Sequence, residues 1–182
     1  KIMAERCARR NSMPTVGVWL GMQMRAIELA RNVLGYEKAD SAEMDLTTPH
    51  PVISLMEDQK DVSDKGGTMR LGNWKCELTE GSKIQNVYNT TTILERHRHR
   101  YEFNNEYYSE FVENGFMPVG KNPETDLVEI LEHKEHPYYI GVQFHPEYKS
   151  TVASPHPLFI SFIEAALSNK QNDLLNATRE KI

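Results

Sequence analysis

Apolar positions recur every three to four residues in some stretches of this chain and alternate or run together in others. Ile2, Met3, Ala4, Cys7 and Ala8 share one face at helical spacing, so residues 2–10 read as an amphipathic helix. Pro14 marks the boundary to a short buried strand over 14–18. Met22, Ala26, Ile27, Ala30, Val33 and Leu34 then return to helical spacing, and Gly35 supplies a C-terminal stop. Met22 and Met24 read as core. Residues 36–51 read as loop, with Thr47 to Pro51 as turn material, and Val52 to Leu55 as a short strand. Glu57 to Lys65 is a polar, mobile connection. Gly66 to Gly72 alternates as a half-buried strand would, with 73–78 as its hairpin partner. Glu106 to Asn114 reads as a helix with Tyr107, Tyr108, Phe111 and Val112 inward and Gly115 as its stop. Residues 116–120, 126–132 and 138–144 read as strands, the last so continuously apolar that it belongs in the centre of a sheet. A final helix runs over Leu158 to Leu167, with Phe159, Phe162, Ile163 and Ala166 inward. The expectation is an α/β domain over 1–168 and a polar tail over 169–182, frayed or helical on the surface.

Composition narrows the function classes. The 182 residues are 39% hydrophobic and 26% charged with a net charge of −5, which fits a soluble globular domain and gives no basic footprint for nucleic acid. No apolar run reaches the roughly 18 residues of a membrane helix, so no membrane insertion is expected. Cys7 and Cys76 are far apart and form no metal or disulfide pattern, which makes a reducing compartment the default. The charged start carries no secretory pattern. The chain opens directly on a helix, with neither a strand nor a Met before it, so upstream residues are expected to be absent. The Gly66-Gly67 pair lacks a following Lys-Ser/Thr and reads as a turn rather than a phosphate loop.

Candidate chemistry concentrates in three places. Gly17-Val18-Trp19-Leu20-Gly21 has the Gly-x-nucleophile-x-Gly spacing of a nucleophile elbow, a tight strand-to-helix turn holding one side chain over the end of a sheet. The exposed position is Trp19, whose indole N–H is a donor only and cannot be activated to attack a carbonyl. Glu95 to Glu102 packs Arg96, Arg98, Arg100, His97 and His99 into five positions. Composition alone favours a solvated basic segment there. Strand alternation would place the arginines on one face and the histidines on the other, and an arginine so placed can take a carboxylate bidentately. Two histidines at i and i+2 are weak grounds for a metal site, and none is expected. His145 and Glu147 follow the central strand, near where the elbow would sit. Alone, His-x-Glu reads more readily as a hydrogen-bonded structural histidine; coupled to an elbow, it reads as a base and the acid that orients it.

On these stretches the chain resembles the glutaminase domain of CTP synthases, within the class I glutamine amidotransferases. The matching pieces are Gly-Val-Trp-Leu-Gly-Met-Gln (17–23), Ala-Arg-Asn-Val-Leu-Gly (30–35), Gly-Gly-Thr-Met-Arg-Leu-Gly (66–72), Glu-Arg-His-Arg-His-Arg-Tyr-Glu (95–102) and Gly-Val-Gln-Phe-His-Pro-Glu (141–147). The resemblance implies the class I amidotransferase fold, an open, largely parallel sheet flanked by helices, with N-terminal strands missing from this chain. In such domains a cysteine at the elbow attacks the glutamine amide, forms a thioester and releases ammonia. Trp19 stands at that position, His145 matches the base and Glu147 its orienting acid. Gln23, Glu43 and Arg100 match residues that hold the glutamine, Arg100 at its α-carboxylate. The oxyanion loop and the nucleotide-binding amidoligase domain would lie upstream of Lys1.

The expected reading is therefore a degenerate glutaminase, a pseudoenzyme in structural or interaction service, with no cofactor and with glutamine binding in question. The alternative is the glutaminase domain of a working CTP synthase in which Trp19 is an introduced change or a sequence error. A hydrolase using His145-activated water is a third reading. The indole is expected to pack on His145 or Gln23 and close the glutamine pocket. By resemblance the domain belongs in a homo-oligomer or larger complex and in the cytoplasm, with mitochondria or another organelle open.

Overall fold

The computed structural model describes residues 1–55 and 69–179, with side chains described through 172. The first elements follow the hydrophobic pattern closely. Helix α1 spans Ile2–Arg10, strand β1 Thr15–Val18 and helix α2 Leu20–Asn32. Gly35, at φ 83°, allows the left-handed turn that ends α2. Then come β2 (Ala39–Ser41), β3 (His50–Leu55), β4 (Arg70–Leu78), α3 (Lys83–Tyr88), β5 (Thr92–His99) and β6 (Tyr101–Phe103). A 3-10 turn at Asn105–Tyr107 leads into α4 (Tyr108–Glu113), followed by β7 (Phe116–Lys121), β8 (Val128–His133), β9 (Tyr139–Val142) and α5 (Pro157–Arg179).

Six strands form one sheet in the order β1-β9-β8-β7-β4-β5, and β2-β3-β6 form a second. The α/β class is as expected. Parallel pairing is confined to β1 with β9 and β2 with β3; the other adjacent pairs are antiparallel. The physical reason is connection length. β7, β8 and β9 follow one another through short turns, which return the chain antiparallel, whereas parallel neighbours need a long crossover.

Two local expectations are corrected. Residues 73–78 are not a hairpin partner of the preceding stretch; they continue β4, whose partner is β5, with Arg70 opposite His99 and Glu77 opposite Thr92. Gly72, at φ 83°, bends that strand without ending it. Residues 39–41, read as loop, form β2, too short for an alternation signal. The final helix continues past Leu167 to Arg179, so residues 169–179 take the helical of the two forms expected for the tail. The polar connection at 57–65 and the paired glycines at 66–67 lie outside the described residues.

Two apolar layers cover the large sheet. Met22, Ile27, Leu29, Phe103, Phe111, Phe116 and Leu131 pack with α2 and α4 in one. Cys76, Ile84, Val119, Ile130, Ile140, Val142, Phe144 and Leu158 pack with α3 and α5 in the other. Alternation along β8 sends Leu131 to the first layer and Ile130 to the second. Helix α1 is fastened to α2 by charge: Arg9 makes a bidentate pair with Glu28 at 2.7 and 2.9 Å, and Arg25 reaches Glu5 at 2.9 Å.

The tightest constraint lies under α2. Gly17 of β1 sits opposite Gly141 of β9. A Cβ on Gly17 would come within 2.8 Å of the Gly21 carbonyl carbon, and one on Gly141 within 3.1 Å of the Met22 side chain. Both glycines let the helix start directly on the sheet. Gly17→Ala is therefore expected to cost about 1–3 kcal/mol, read as a lower urea midpoint at unchanged slope. A midpoint equal to that of the unaltered chain would contradict this close approach.

Candidate active site

Parallel pairing brings the candidate residues together. Val18 lies opposite Val142, so the residue after β1 meets the segment after β9. The Trp19 amide donates to Val142 O at 2.8 Å, and Trp19 O accepts from the Gln23 amide at 3.2 Å as α2 begins. Trp19 has φ 46° and ψ −106°. A bulky side chain in that region stores strain of about 1–3 kcal/mol, held by the two hydrogen-bonded flanks.

His145 is 7% exposed and meets two rings. Trp19 is tilted 33° to it with centroids 5.5 Å apart; Tyr148 is 4.8 Å away and nearly parallel. His145 Nδ1 is 2.6 Å from Glu147 Oε1. A carboxylate accepts only, so Nδ1 carries the proton and Nε2 presents its lone pair. Nε2 is buried and has no partner among the described residues. Glu147 is half exposed, so water screens this pair.

Of the resemblance-derived glutamine residues, Gln23 and Arg100 lie close to one another. Gln23 is buried, and its Nε2 donates to the carbonyl of Tyr101 at 3.0 Å, the residue after Arg100. Arg100 occupies the bend between β5 and β6, half-buried, its Nε without a partner. Glu43 is separate. It lies exposed on the turn after β2, its amide donating to Ser41 Oγ at 3.1 Å. Among the described residues its carboxylate has no hydrogen bond or ion pair to the other five. A cavity of about 720 Å³, lined by Leu46, Pro51, Leu55, Tyr101, Asn105 and Leu127 among others, is bordered by none of the six.

The basic run is not simply solvated. Arg96 and Arg98 are exposed, while His97 and His99 are buried at 2% and 3%. Arg70, Glu102 and Glu129 meet them in the interior, an assembly that the motif reading missed. Its one sequence signal was Glu129, a charge inside the otherwise apolar strand Val128-Glu129-Ile130-Leu131. Ligand atoms of His97, His99 and Glu129 lie within 4.8 Å of one another, as metal ligands can. The Arg70 guanidinium, however, is 2.7 Å from Glu129 and already supplies a cation there.

The family model for Glutamine amidotransferase class-I matches residues 1–165. The chain belongs to that family. The CTP synthase of Flavobacterium psychrophilum is 58% identical over 170 residues, covering 93% of this chain and 32% of that protein. The CTP synthase of Christiangramia forsetii is 60% identical over 166 residues, covering 91% and 30%. The chain thus spans about a third of these relatives. Among solved structures, the Trypanosoma brucei CTP synthase glutaminase domain with bound acivicin superposes with a TM-score of 0.85 at 35% identity. That match covers 92% of this chain and 65% of the other. The relatives bear out the CTP-synthase-type glutaminase resemblance over almost the whole amidotransferase chain. No helix among the described residues is long and apolar enough to cross a membrane.

Burial also sets how stability depends on pH. It lowers His97 from 6.5 to about 2, helped by Arg70, and His133 from 6.5 to about 4, helped by His136. Both are neutral in the fold, so their contribution is complete above 6.5 and is lost as pH falls below it. Glu129 is pushed well above 4.5 by burial and by Glu102, against the pull of Arg70, so it opposes that trend by keeping a proton in the fold. Between 6.5 and 4.5 the unfolded chain takes up protons at both histidines, which outnumber the one retained at Glu129. The urea midpoint is expected to be lower at about pH 5 than at about pH 6.5, and to fall less steeply in His133→Asn. A midpoint that holds or rises on acidification would contradict this balance.

Proposed function

We propose that this chain is a CTP-synthase-like glutaminase domain without its nucleophile, a pseudoenzyme that serves a structural or protein-interaction role. Trp19 at the elbow carries the reading. The position that should present a thiolate presents a ring that lies tilted against His145, centroids 5.5 Å apart. An indole has no lone pair available for attack on an amide, and removing the nucleophile of a triad typically costs on the order of a million-fold in kcat. Neither thiol replaces it. Cys76 is buried, and burial pushes its thiol well above the ordinary range. Cys7 lies exposed on α1, outside the elbow. His145 and Glu147 remain as a base and its orienting acid. Gln23, Glu43 and Arg100 are the residues proposed to face glutamine, whose binding the indole opposes by standing where the amide would sit. Retention of the fold fits a homo-oligomer or a larger assembly in the cytoplasm, with no cofactor, nucleic acid or membrane insertion.

A second reading is supported by the same dyad and by the high identity to CTP synthases. In it the domain belongs to a glutamine-hydrolysing, UTP-to-CTP enzyme whose elbow residue was altered. Resequencing the source and assaying the full-length protein separate the two. The pseudoenzyme reading expects Trp19 in the native gene. It also expects no ammonia release from glutamine above the buffer rate in a glutamate-dehydrogenase-coupled assay. Brisk release that disappears in His145→Ala would contradict it. CTP formed from free ammonia but not from glutamine, with glutamine use restored by Trp19→Cys, would favour the altered enzyme.

A further inference from the structure

The two inward histidines of β5 have no role in the elbow, the dyad or the glutamine contacts. They belong to a group of five polar side chains drawn from four strands. Arg70 (β4), His97 and His99 (β5), Glu102 (β6) and Glu129 (β8) are each at most 4% exposed. Arg70 bridges the two carboxylates, at 3.1 Å to Glu102 Oε1 and 2.7 Å to Glu129 Oε1. His97 Nδ1 lies 2.7 Å from His99 Nε2. His99 Nδ1 lies 3.1 Å from Glu102 Oε1, close but off the ideal hydrogen-bond line, and His97 Nδ1 lies 3.6 Å from Glu129 Oε2.

Counting protons leaves one consistent neutral arrangement. Two ring nitrogens 2.7 Å apart need a proton between them. Were it on His99 Nε2 of a neutral ring, the bare Nδ1 of His99 would face a Glu102 oxygen that already accepts from Arg70. Two acceptors buried face to face are costly. With the proton on His97 Nδ1 instead, His99 Nδ1–H is free to donate to Glu102, and every close contact has a hydrogen. Burial and Arg70 keep His97 neutral. The acceptor left over on the two rings is His97 Nε2; among the described residues Glu102 Oε2, Glu129 Oε2 and the donor Arg70 Nε are buried without a partner too.

A metal ion fits the same atoms less well. With bonds of about 2.0–2.1 Å, two nitrogens on a tetrahedral ion stand roughly 3.3 Å apart. The observed 2.7 Å is the spacing of a shared proton.

The leftover acceptor sits behind the dyad. The His145 amide donates to the carbonyl of Arg96, the residue before His97, at 2.8 Å. The His97 ring meets Phe144, the residue before His145, edge-on at 5.9 Å. Among the described residues His145 Nε2 is a buried acceptor without a partner as well, and His145 is close enough to act on His97 electrostatically. Water, which can both donate and accept, is the molecule that buried polar groups ordinarily recruit.

We propose that Glu102, His99 and His97 form a buried hydrogen-bond relay that fixes both imidazoles as Nδ1–H tautomers and presents His97 Nε2 as the seat of an internal water behind His145. The other titratable or charged groups facing it are Arg70 from β4, Glu129 from β8 and His145 after β9. The relay stands whether or not the elbow supports catalysis.

Histidine-selective ¹⁵N NMR on the intact chain at neutral pH tests it. The expected spectrum shows protonated Nδ1 and bare Nε2 at both His97 and His99, a slowly exchanging His97 Nδ1–H and a water cross-peak to the His97 ring. His99→Leu is expected to lose the slow His97 signal, and Glu102→Gln, whose amide oxygen still accepts, to keep it. An Nε2–H tautomer or an imidazolium at either residue of the unaltered chain overturns the relay. So does an unchanged His97 signal in folded His99→Leu, or stoichiometric zinc in protein grown with zinc. Absence of the water cross-peak overturns the water seat.

Discussion

The close approach of α2 to the sheet is the constraint on which the rest depends. Gly17 and Gly141, paired in register beneath the start of the helix, remove the two Cβ atoms that would hold the layers apart. The turn between β1 and α2 therefore has almost no freedom, and residue 19 is forced to positive φ at the end of the sheet. The same parallel pairing carries β9 alongside and delivers His145 to that point. The geometry of an elbow is thus a property of backbone packing and is independent of what side chain occupies it. The elbow therefore accommodates an indole at residue 19, with strain at one residue as the local cost.

Electrostatics divides the site into a wet half and a dry half. His145 and Glu147 lie at the rim, with the carboxylate half exposed. Behind them, Arg70 bridges the buried side chains of Glu102 and Glu129, and the inward histidines complete the network. A buried ion cluster of this kind stabilises little in net terms but is strongly disrupted by removing one member. Its members come from β4, β5, β6 and β8, so it also ties the small sheet to the large one, with Glu102 on β6 as the crossing point.

Local patterns made much of this readable in the chain itself. The helical spacing from Met22 to Leu34, the apolar run ending in Val142 and the Gly-x-x-x-Gly turn each reflect forces acting within a few residues, and each formed where expected. The Arg/His alternation put Arg96 and Arg98 on one face of β5 and His97 and His99 on the other, though which face is inward came only from the fold and Arg100 falls at the bend after the strand. What was not readable depends on distant partners. β2 exists because β3 pairs with it. β4 runs through Gly72 because β5 supplies an unbroken ladder. The Arg70–Glu102–Glu129 bridge joins residues 32 and 59 positions apart, with no local signature beyond a charge in an apolar strand.

Whether the elbow can form a covalent adduct is the central matter, and intact-mass spectrometry addresses it most directly. The chain would be incubated with an electrophilic glutamine analogue such as a chloroketone, beside a Trp19→Cys variant as positive control. The account predicts an unchanged mass for the unaltered chain. A stoichiometric adduct mapping to residues 17–21 of the unaltered chain would contradict it.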